Sequence, residues 1–410
     1  MKKYWIYIEP YVVINIKINK VLYYNTLNKI YLVFDKEEIL ALTKKFVKSG
    51  NLMILSINED LLSISPYMEF LESLRSSFCG DVLDASWSTS KPIQIIPKLK
   101  RNIGSTYSFK KWYGEGILTY LNEITFYING ECEQECTTCQ DYYKQFIFCK
   151  KSKNSRTSIN VIESLLKVLK ESSLNRVNLV GGNVLAISDL ENFLQTLDNY
   201  LFDKNIYVNY LNINDSTVDN LRLLNNFNVN LKLLINSAID FDRLNDSIKL
   251  SKYLNPELIF IVEDIDGLEK IELILEKTGI TNYKIIPFYN QNNITFFEDY
   301  VYLTFDDIQE ETPDQKVLFS RKVINTNEFG KLTILCDGSI YSSLNESKIG
   351  NLYKNSIQEI MHRELSSCRS WKKRRQFLKP CINCVYNLHC PPITDYERVI
   401  GKPNLCHIIL

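Results

Sequence analysis

Between residues 118 and 290 the chain repeats one pattern, a short apolar run followed by a stretch with helical spacing. The apolar runs are EITFYIN, RVNLVGG, NIYVNYLNI, NLKLLINSA, PELIFIVE and NYKIIPFYN. Between them lie SINVIESLLKVLKESS, ISDLENFLQTLDNYL, TVDNLRLLNNF, DFDRLNDSIKLSKYL and DGLEKIELILEKTG. Strands that alternate with helices pair in parallel through right-handed crossovers, as an open sheet or a partial barrel. Both architectures place their chemistry in the loops that follow the strands.

Ahead of this repeat lie four β-like runs, KKYWIYIE, VVINIKI, VLYYN and KIYLVF, and two helical patterns, DKEEILALTKKFVKSG and SPYMEFLESLRSSF. In the first helix Asp35 is placed to cap, Ile39, Leu40, Leu42 and Phe46 recur at helical spacing, and Gly50 ends the run. CGDVLDAS then leads into an irregular stretch with Pro92, Pro97 and Gly104, which marks a boundary. Beyond residue 330, LTILCDGSIYSSLNESKIGNLYKNSIQEI reads as a hairpin and a helix, and a cysteine-rich tail runs from Cys368 to Cys406. The chain thus divides into 1–90, a linker over 91–117, 118–325 and 326–410. The abundance of Asn, Ile, Lys and Tyr reads as compositional drift.

Charge and hydropathy exclude several partners. Lys plus Arg total 48 against 48 Asp plus Glu, so no broad basic field exists to hold nucleic acid. No apolar run is long enough for a membrane span. The N-terminal MKKYWIYIEPYVV is broken by Glu9 and Pro10 and lacks a small-residue cleavage site, so the expected location is cytoplasmic. Thiols stay reduced there, and eleven cysteines point to metal or catalysis. With only three histidines, all-thiolate ligation is favoured.

Cys132, Cys136 and Cys139 form CxxxCxxC after the first apolar run of the repeat. Three thiolates so spaced can bind three irons of one cubane and leave the fourth without a protein ligand; with help from Cys149 they could instead hold zinc. Gly181 and Gly182, followed by Asn183, end the second run, where paired glycines also serve as a plain strand-to-helix turn. Residues 118–290 resemble the radical SAM superfamily, which carries CxxxCxxC after the first strand of a partial (β/α)6 barrel. The resemblance implies that Cys132, Cys136 and Cys139 hold a [4Fe–4S] cluster whose open iron chelates S-adenosylmethionine, and that Gly181, Gly182 and Asn183 line the methionine site. Asn183 stands where the family usually has glutamate, which exchanges a charge-assisted contact for a neutral one. Thr138 stands where an aromatic residue usually precedes the third cysteine. These departures keep open a degenerate domain that does not cleave its cofactor.

In the tail, Cys381, Cys384 and Cys390 read CxxCxxxxxC, and Cys406 follows sixteen residues later. Four thiolates suit zinc as well as iron, and His389 and His407 stand beside them. With the DGSIYSS hairpin and IGNLYKNSIQEI, this tail resembles the SPASM domain of radical SAM enzymes that modify peptides. The resemblance implies that Cys381, Cys384, Cys390 and Cys406 hold an auxiliary [4Fe–4S] cluster. A second, inner auxiliary site keeps Cys336 but has Ser342 in the partner position, and Thr394 replaces a further cysteine of the full pattern. Two clusters in all are therefore expected; Cys368 is a stray or a replacement ligand, and the sequence assigns no definite role to Cys79, Cys149 or Cys336.

The N-terminal strands and helices resemble the winged-helix-like, PqqD-type elements that bind a leader peptide as an added strand. An ordinary α+β cap fits the same pattern. YWIYIEPYVVI, LYYNTLN, CGDVLD and CPPITDYE resemble a Bacteroidales-type group of pseudo-radical-SAM SPASM proteins associated with double-glycine leader peptides. The expected fold is α/β: a small α+β domain, a partial (β/α)6 radical SAM-type barrel and a SPASM-type iron–sulfur domain. The expected function is maturation of a ribosomally synthesised precursor peptide, with electrons from a donor protein, no nucleic acid and no membrane span. The rival expectation is a non-catalytic peptide-binding partner that keeps clusters for structure.

Overall fold

The computed structural model describes residues 2–87, 90–95, 116–134, 136, 139–152, 156–170, 172–367 and 370–408. Thr138, Cys368 and most of the 91–117 linker lie outside the described residues.

The N-terminal part holds β1 (Lys3–Ile8), β2 (Val12–Ile16), β3 (Val21–Asn25), β4 (Tyr31–Phe34), β5 (Ile54–Asn58) and β6 (Gly80–Asp84). They form two antiparallel three-stranded sheets, ordered β5-β1-β6 and β2-β3-β4. The expected pattern of four strands lacked β5 and β6. Both are five-residue segments stabilised by pairing with the two edges of β1, a long-range partner that local composition does not announce. The helix Glu37–Phe46 buries Ile39, Leu40, Leu42 and Phe46, as its spacing requires. Its N-cap is Lys36, without a side-chain cap, so Asp35 stands one residue too early, and the helix ends four residues before Gly50.

The large sheet has nine strands, ordered β12-β11-β10-β9-β8-β7-β13-β14-β15. β7 (Glu123–Asn129), β8 (Arg176–Gly181), β9 (Asp203–Asn209), β10 (Asn230–Ile235), β11 (Glu257–Val262) and β12 (Tyr283–Pro287) pair in parallel and in chain order. β13 (Lys331–Ile334) adds in parallel to β7, and β14 (Ser339–Tyr341) and β15 (Gly350–Asn351) follow antiparallel. The C-terminal hairpin therefore extends the sheet of the repeat.

Alternate strand residues face opposite sides. Ile124, Phe126, Leu179, Leu233 and Phe260 share the main core with Leu166, Phe193, Leu197, Leu221 and Ile271 from the crossover helices. The other face is layered differently. Toward the start of the strands, Asn230 Nδ2 donates to Asn205 Oδ1 at 3.3 Å, Asn205 Nδ2 to Asn178 Oδ1 at 2.9 Å, and Asn178 Nδ2 to Thr125 Oγ1 at 3.1 Å. This ladder crosses four strands in register. Farther along the strands, Leu234, Ile259 and Ile261 pack on Tyr142, Phe148 and Phe146 from the segment after the first cysteines.

The β2-β3-β4 sheet docks on the tail and on the segment around residues 308 to 313. Asn15 Nδ2 donates to Val385 O at 2.6 Å and to Asn387 Oδ1 at 3.1 Å, and the hydroxyls of Tyr24 and Tyr31 donate to Pro313 O and Ile308 O at 2.9 and 3.2 Å. Among the described residues no helix is long and apolar enough to cross a membrane.

A ladder of buried amides is worth keeping only if each member is satisfied, because removal of one strands its neighbours. Asn178→Ala is expected to lower stability by about 1–3 kcal/mol, read as a fall in the urea midpoint. An unchanged midpoint would show the ladder to be dispensable.

Candidate functional site

A side-chain amide or carboxylate stands at or just beyond the C-terminal end of each of the six parallel strands: Asn129, Asn183, Asn209, Asn236, Glu263 and Asn290. They bond to one another and to the loops. Asn129 Nδ2 donates to Asn183 O at 2.9 Å while its Oδ1 accepts from Glu131 N at 2.9 Å. Asn209 Nδ2 donates to Asn236 Oδ1 at 2.7 Å, and Asn290 Nδ2 to Glu263 Oε2 at 3.0 Å. These asparagines correct the expectation of compositional drift. The signal was present in the sequence, since EITFYIN, NLKLLIN and IIPFYN each close on one and LIFIVE closes on a carboxylate. An amide both donates and accepts, so it can pair the backbone groups that a strand end leaves over.

The paired glycines explain how the first cysteine loop is held. A β-carbon on Gly181 would collide with the carbonyl oxygen of Asn129, and one on Gly182 with that of Glu131. Gly182 N donates to Asn129 O, and Asn183 N to Glu131 O at 2.7 Å. The end of β8 is thereby locked against the residues that lead into Cys132. The Asn183 side chain accepts from Leu185 N at 3.1 Å and caps the short turn Val184–Ala186. One lone pair of that carbonyl is left for another donor.

The thiols of this loop meet three asparagines. Cys132 Sγ donates to Asn212 Oδ1 at 3.6 Å, and Asn212 Nδ2 donates to Gly182 O at 3.2 Å. Cys136 Sγ accepts from Asn236 Nδ2 at 3.4 Å. Cys139 is buried at the start of the short helix Cys139–Tyr142. Cys149, ten residues on, is buried too, and its sulfur accepts from Asn209 Nδ2 at 3.7 Å. Burial pushes the Cys136 thiol up, with the neighbouring cysteines adding and Asn236 opposing.

After Cys139 the chain packs onto the sheet face. Tyr142 OH lies 2.6 Å from Glu263 Oε1 and 2.8 Å from Ser237 Oγ, and Ser237 Oγ also donates to Glu263 at 2.6 Å. Gln145 bonds the backbone of Tyr289 in both directions, at 2.8 and 3.1 Å. The Tyr142 ring stands 4.4 Å from Phe288 and 4.9 Å from Phe148 between centroids. Glu263 was not singled out from the sequence, because only the fold brings Tyr142, Ser237 and Asn290 around it.

In the tail Cys381, Cys384, Cys390 and Cys406 all line one pocket of about 440 Å³, counting its open mouth. Cys406 is drawn in by backbone pairing, Leu303 N to Leu405 O and His407 N to Leu303 O, both at 3.0 Å. Arg375 lines the same pocket, with its guanidinium on Glu397 at 2.9 and 3.2 Å, on Pro391 O at 2.7 Å and on Pro403 O. Burial pushes the Cys384 thiol up to about 11 and the Cys390 thiol to about 12, and for Cys390 the Arg375 charge opposes the rise. Neither His389 nor His407 lines the pocket. His389 is buried between the rings of Tyr24 and Tyr31, and His407 Nε2 lies 2.9 Å from Glu298 O. Thr394 caps the helix Asp395–Ile400.

At the expected inner position Cys336 packs with Tyr127 and Val180, while Ser342 is buried 3.5 Å from Ser370 Oγ. The surroundings are polar. Arg398 bonds Ser343 Oγ at 3.1 Å and Glu328 at 3.2 Å. Glu364 is 0% exposed, and neither carboxyl oxygen has a partner among the described residues. Burial, helped by Glu328, raises its pKa from 4.5 to about 8.

Among the described residues no three His, Cys, Asp or Glu side chains are gathered as ligands of a single metal ion. A cubane places its ligands on separate corner irons and asks for wider spacing. Four thiols around one pocket, with a buried guanidinium to favour thiolate, fit such a group. Of the loop thiols, Cys136 accepts from an asparagine amide and Cys139 is buried beside it, which suits thiolate ligation, whereas Cys132 faces the Asn212 amide oxygen and would exchange that contact for iron.

No protein-family model matches the chain, and neither does any curated protein. Among solved structures the chain is similar to Streptococcus suis SuiB bound to precursor peptide SuiA, at 15% identity and a TM-score of 0.47 over 100% of both chains. It is similar to Streptococcus suis SuiB by itself at 13% identity and a TM-score of 0.49, over 98% of this chain and 100% of that one. HydG, a maturase of the [FeFe]-hydrogenase, follows at 11% identity and a TM-score of 0.28, over 47% and 48%.

The backbone approach at Gly182 leaves no room for a methyl group. Gly182→Ala is expected to lower stability by about 1–3 kcal/mol and to speed labelling of Cys132 by a thiol reagent, since the loop must move away. Glu364 gives a pH signature. Its carboxyl stays neutral in the fold up to about 8 but ionises above 4.5 when unfolded, so the stability it permits is whole below 4.5 and drains away as pH rises to about 8. The thermal midpoint of Glu364→Gln relative to wild type should therefore climb between pH 5 and pH 8; a constant difference would mean that Glu364 is charged in the fold.

Proposed function

We propose that this chain is a radical SAM/SPASM-type maturase of a ribosomally synthesised peptide. One observation carries the reading: the seven thiols that the sequence singles out are gathered in two places. Three are on the loop above the C-terminal ends of six parallel strands, and four surround one pocket in the tail. Crossover helices packed on one face of the sheet support a partial (β/α)6 barrel over residues 118–325, because a sheet covered on one side can curl around the other. Residues 326–410 are the SPASM-like domain, although its hairpin shares the sheet of the barrel.

Cys132, Cys136 and Cys139 would hold one [4Fe–4S] cluster, and Cys381, Cys384, Cys390 and Cys406 an auxiliary one. When bound, S-adenosylmethionine with the reduced loop cluster supplies the radical that takes a hydrogen atom from the peptide. The chain's own contribution is placement. Gly181 and Gly182 bring the β8 backbone within reach of the loop, Asn183 offers its remaining lone pair to an ammonium group, and Arg375 sets a fixed positive charge beside the tail thiols. Residues 1–90 would bind the leader of the precursor peptide along a free strand edge, and a donor protein would supply electrons.

A second reading is favoured by a specific observation. Tyr142, Phe146 and Phe148 pack on the sheet face that a substrate would have to reach, and the Asn183 side chain is engaged in capping its own turn. This arrangement suits a non-catalytic, peptide-binding partner of the pseudo-radical-SAM kind.

Anaerobic reconstitution should give about eight iron and eight sulfide per chain, and alanine at Cys132, Cys136 and Cys139 together should halve both. Reduced protein should release 5′-deoxyadenosine from S-adenosylmethionine. Asn183→Glu should raise the yield at low cofactor, a charged contact being worth roughly 1.5–3 kcal/mol, and Cys136→Ala should abolish it. No release by wild type or Asn183→Glu, with both clusters verified and cofactor saturating, would leave the non-catalytic reading.

A further inference from the structure

We propose that Cys149 is a fourth thiolate ligand of the loop cluster and closes, in the resting protein, the iron that Cys132, Cys136 and Cys139 leave open. This rests on the reading that those three cysteines hold a four-iron cluster.

Cys149 lies outside the CxxxCxxC spacing, and the fold brings it back. Lys150 N donates to Gly181 O at 3.0 Å and Ser152 N to Gly130 O at 2.8 Å, so the chain after Cys149 runs along the glycine pair and the start of the cysteine loop. Gln140 Nε2 reaches Lys151 O at 2.7 Å, and Lys151 Nζ reaches Gln134 O at 3.2 Å. The two segments are thus tied at several points. Cys149 is 5% exposed and shares one apolar cluster with Cys139, against which Cys136 also packs.

The amides around it have a fixed polarity. Leu211 N donates to Asn209 Oδ1 at 3.1 Å, and a backbone N–H cannot be reversed. Asn209 Nδ2 must then face Cys149 Sγ at 3.7 Å and Asn236 Oδ1 at 2.7 Å. That contact in turn directs Asn236 Nδ2 at Cys136 Sγ, 3.4 Å away. The same relay therefore presents one N–H to Cys136 and one to Cys149, treating both sulfurs as acceptors. Donors aimed at sulfur are what a metal-bound thiolate attracts from its surroundings. A space-filling thiol in an apolar core has no use for one.

Ligation exchanges the Cys149 S–H bond for an S–Fe bond, releases one proton to solvent and changes no oxidation state. An iron that already holds a fourth thiolate has no free position for the amino and carboxylate groups of S-adenosylmethionine. Cofactor binding then requires that Cys149 leave the iron, so S-adenosylmethionine competes with this thiolate for the open position.

The test uses the full chain, reconstituted anaerobically, as wild type, Cys149→Ser and Cys149→Ala, with the Cys132, Cys136 and Cys139 triple alanine variant as the reference for the tail cluster. Mild ferricyanide oxidation strips an iron that lacks a thiolate and leaves a [3Fe–4S] electron-paramagnetic signal. Wild type should show none, and its reduced spectrum should shift only at S-adenosylmethionine concentrations well above those that shift the Cys149 variants. Both Cys149 variants should show the [3Fe–4S] signal, and their reduced spectra should shift with the cofactor. Wild type that yields [3Fe–4S] with its iron and sulfide complete overturns the proposal whether or not the variants fold. If the triple alanine variant instead keeps all the iron and sulfide of wild type, or wild type holds none, the cluster reading itself fails.

Discussion

Two backbones approach at the C-terminal ends of β7 and β8 so closely that no side chain fits between them, and the arrangement above the sheet follows from that approach. Gly181 and Gly182 accept the carbonyls of Asn129 and Glu131 where any β-carbon would collide. The contact fixes the stem of the cysteine loop, and Gly181 O also accepts from Lys150 N of the returning segment. A loop held only at its two ends would spread its thiols over many positions. Beyond this stem Cys139 and Cys149 share one apolar cluster, with Cys136 packed against it.

Above the glycines, order comes from amides. Buried amides are costly unless every donor and acceptor is met, so a chain of them has few acceptable orientations. Here the polarity is set at one backbone N–H, that of Leu211, and is handed through Asn209 and Asn236 to two sulfurs. A second ladder, through Asn230, Asn205 and Asn178, closes the same face toward the start of the strands. Aromatic side chains fill the space between the two polar layers. Low-dielectric packing of that kind strengthens each hydrogen bond it encloses and buries Cys139 and Cys149, while Cys132 and Cys136 stay partly exposed.

The tail solves a related problem by other means. Its four cysteines come from a turn and from a later segment, drawn together by backbone pairing of Leu303 with Leu405 and His407 and by a buried ion pair. Arg375 reaches Glu397, whose carboxylate also completes the capping box with Thr394, and the guanidinium bonds the backbone on both sides of the pocket, at Pro391 and Pro403. The β2-β3-β4 sheet packs on this assembly through Asn15, which bonds Val385, and through the rings of Tyr24 and Tyr31 against His389.

The sequence by itself determined the parallel sheet, because six apolar runs with amphipathic stretches between them admit few other arrangements, and it determined which seven cysteines to follow, because their spacing is short-range. It also carried the asparagines at the strand ends, which composition alone disguised as drift. What only the tertiary structure decided depends on partners far apart in the chain. β5 and β6 exist because β1 lies between them. The C-terminal hairpin joins the main sheet because β13 finds the free edge of β7. Glu263, Arg375 and Cys149 have meaning only through neighbours that folding supplies, and no local pattern marks a residue whose function is set by contacts between distant segments.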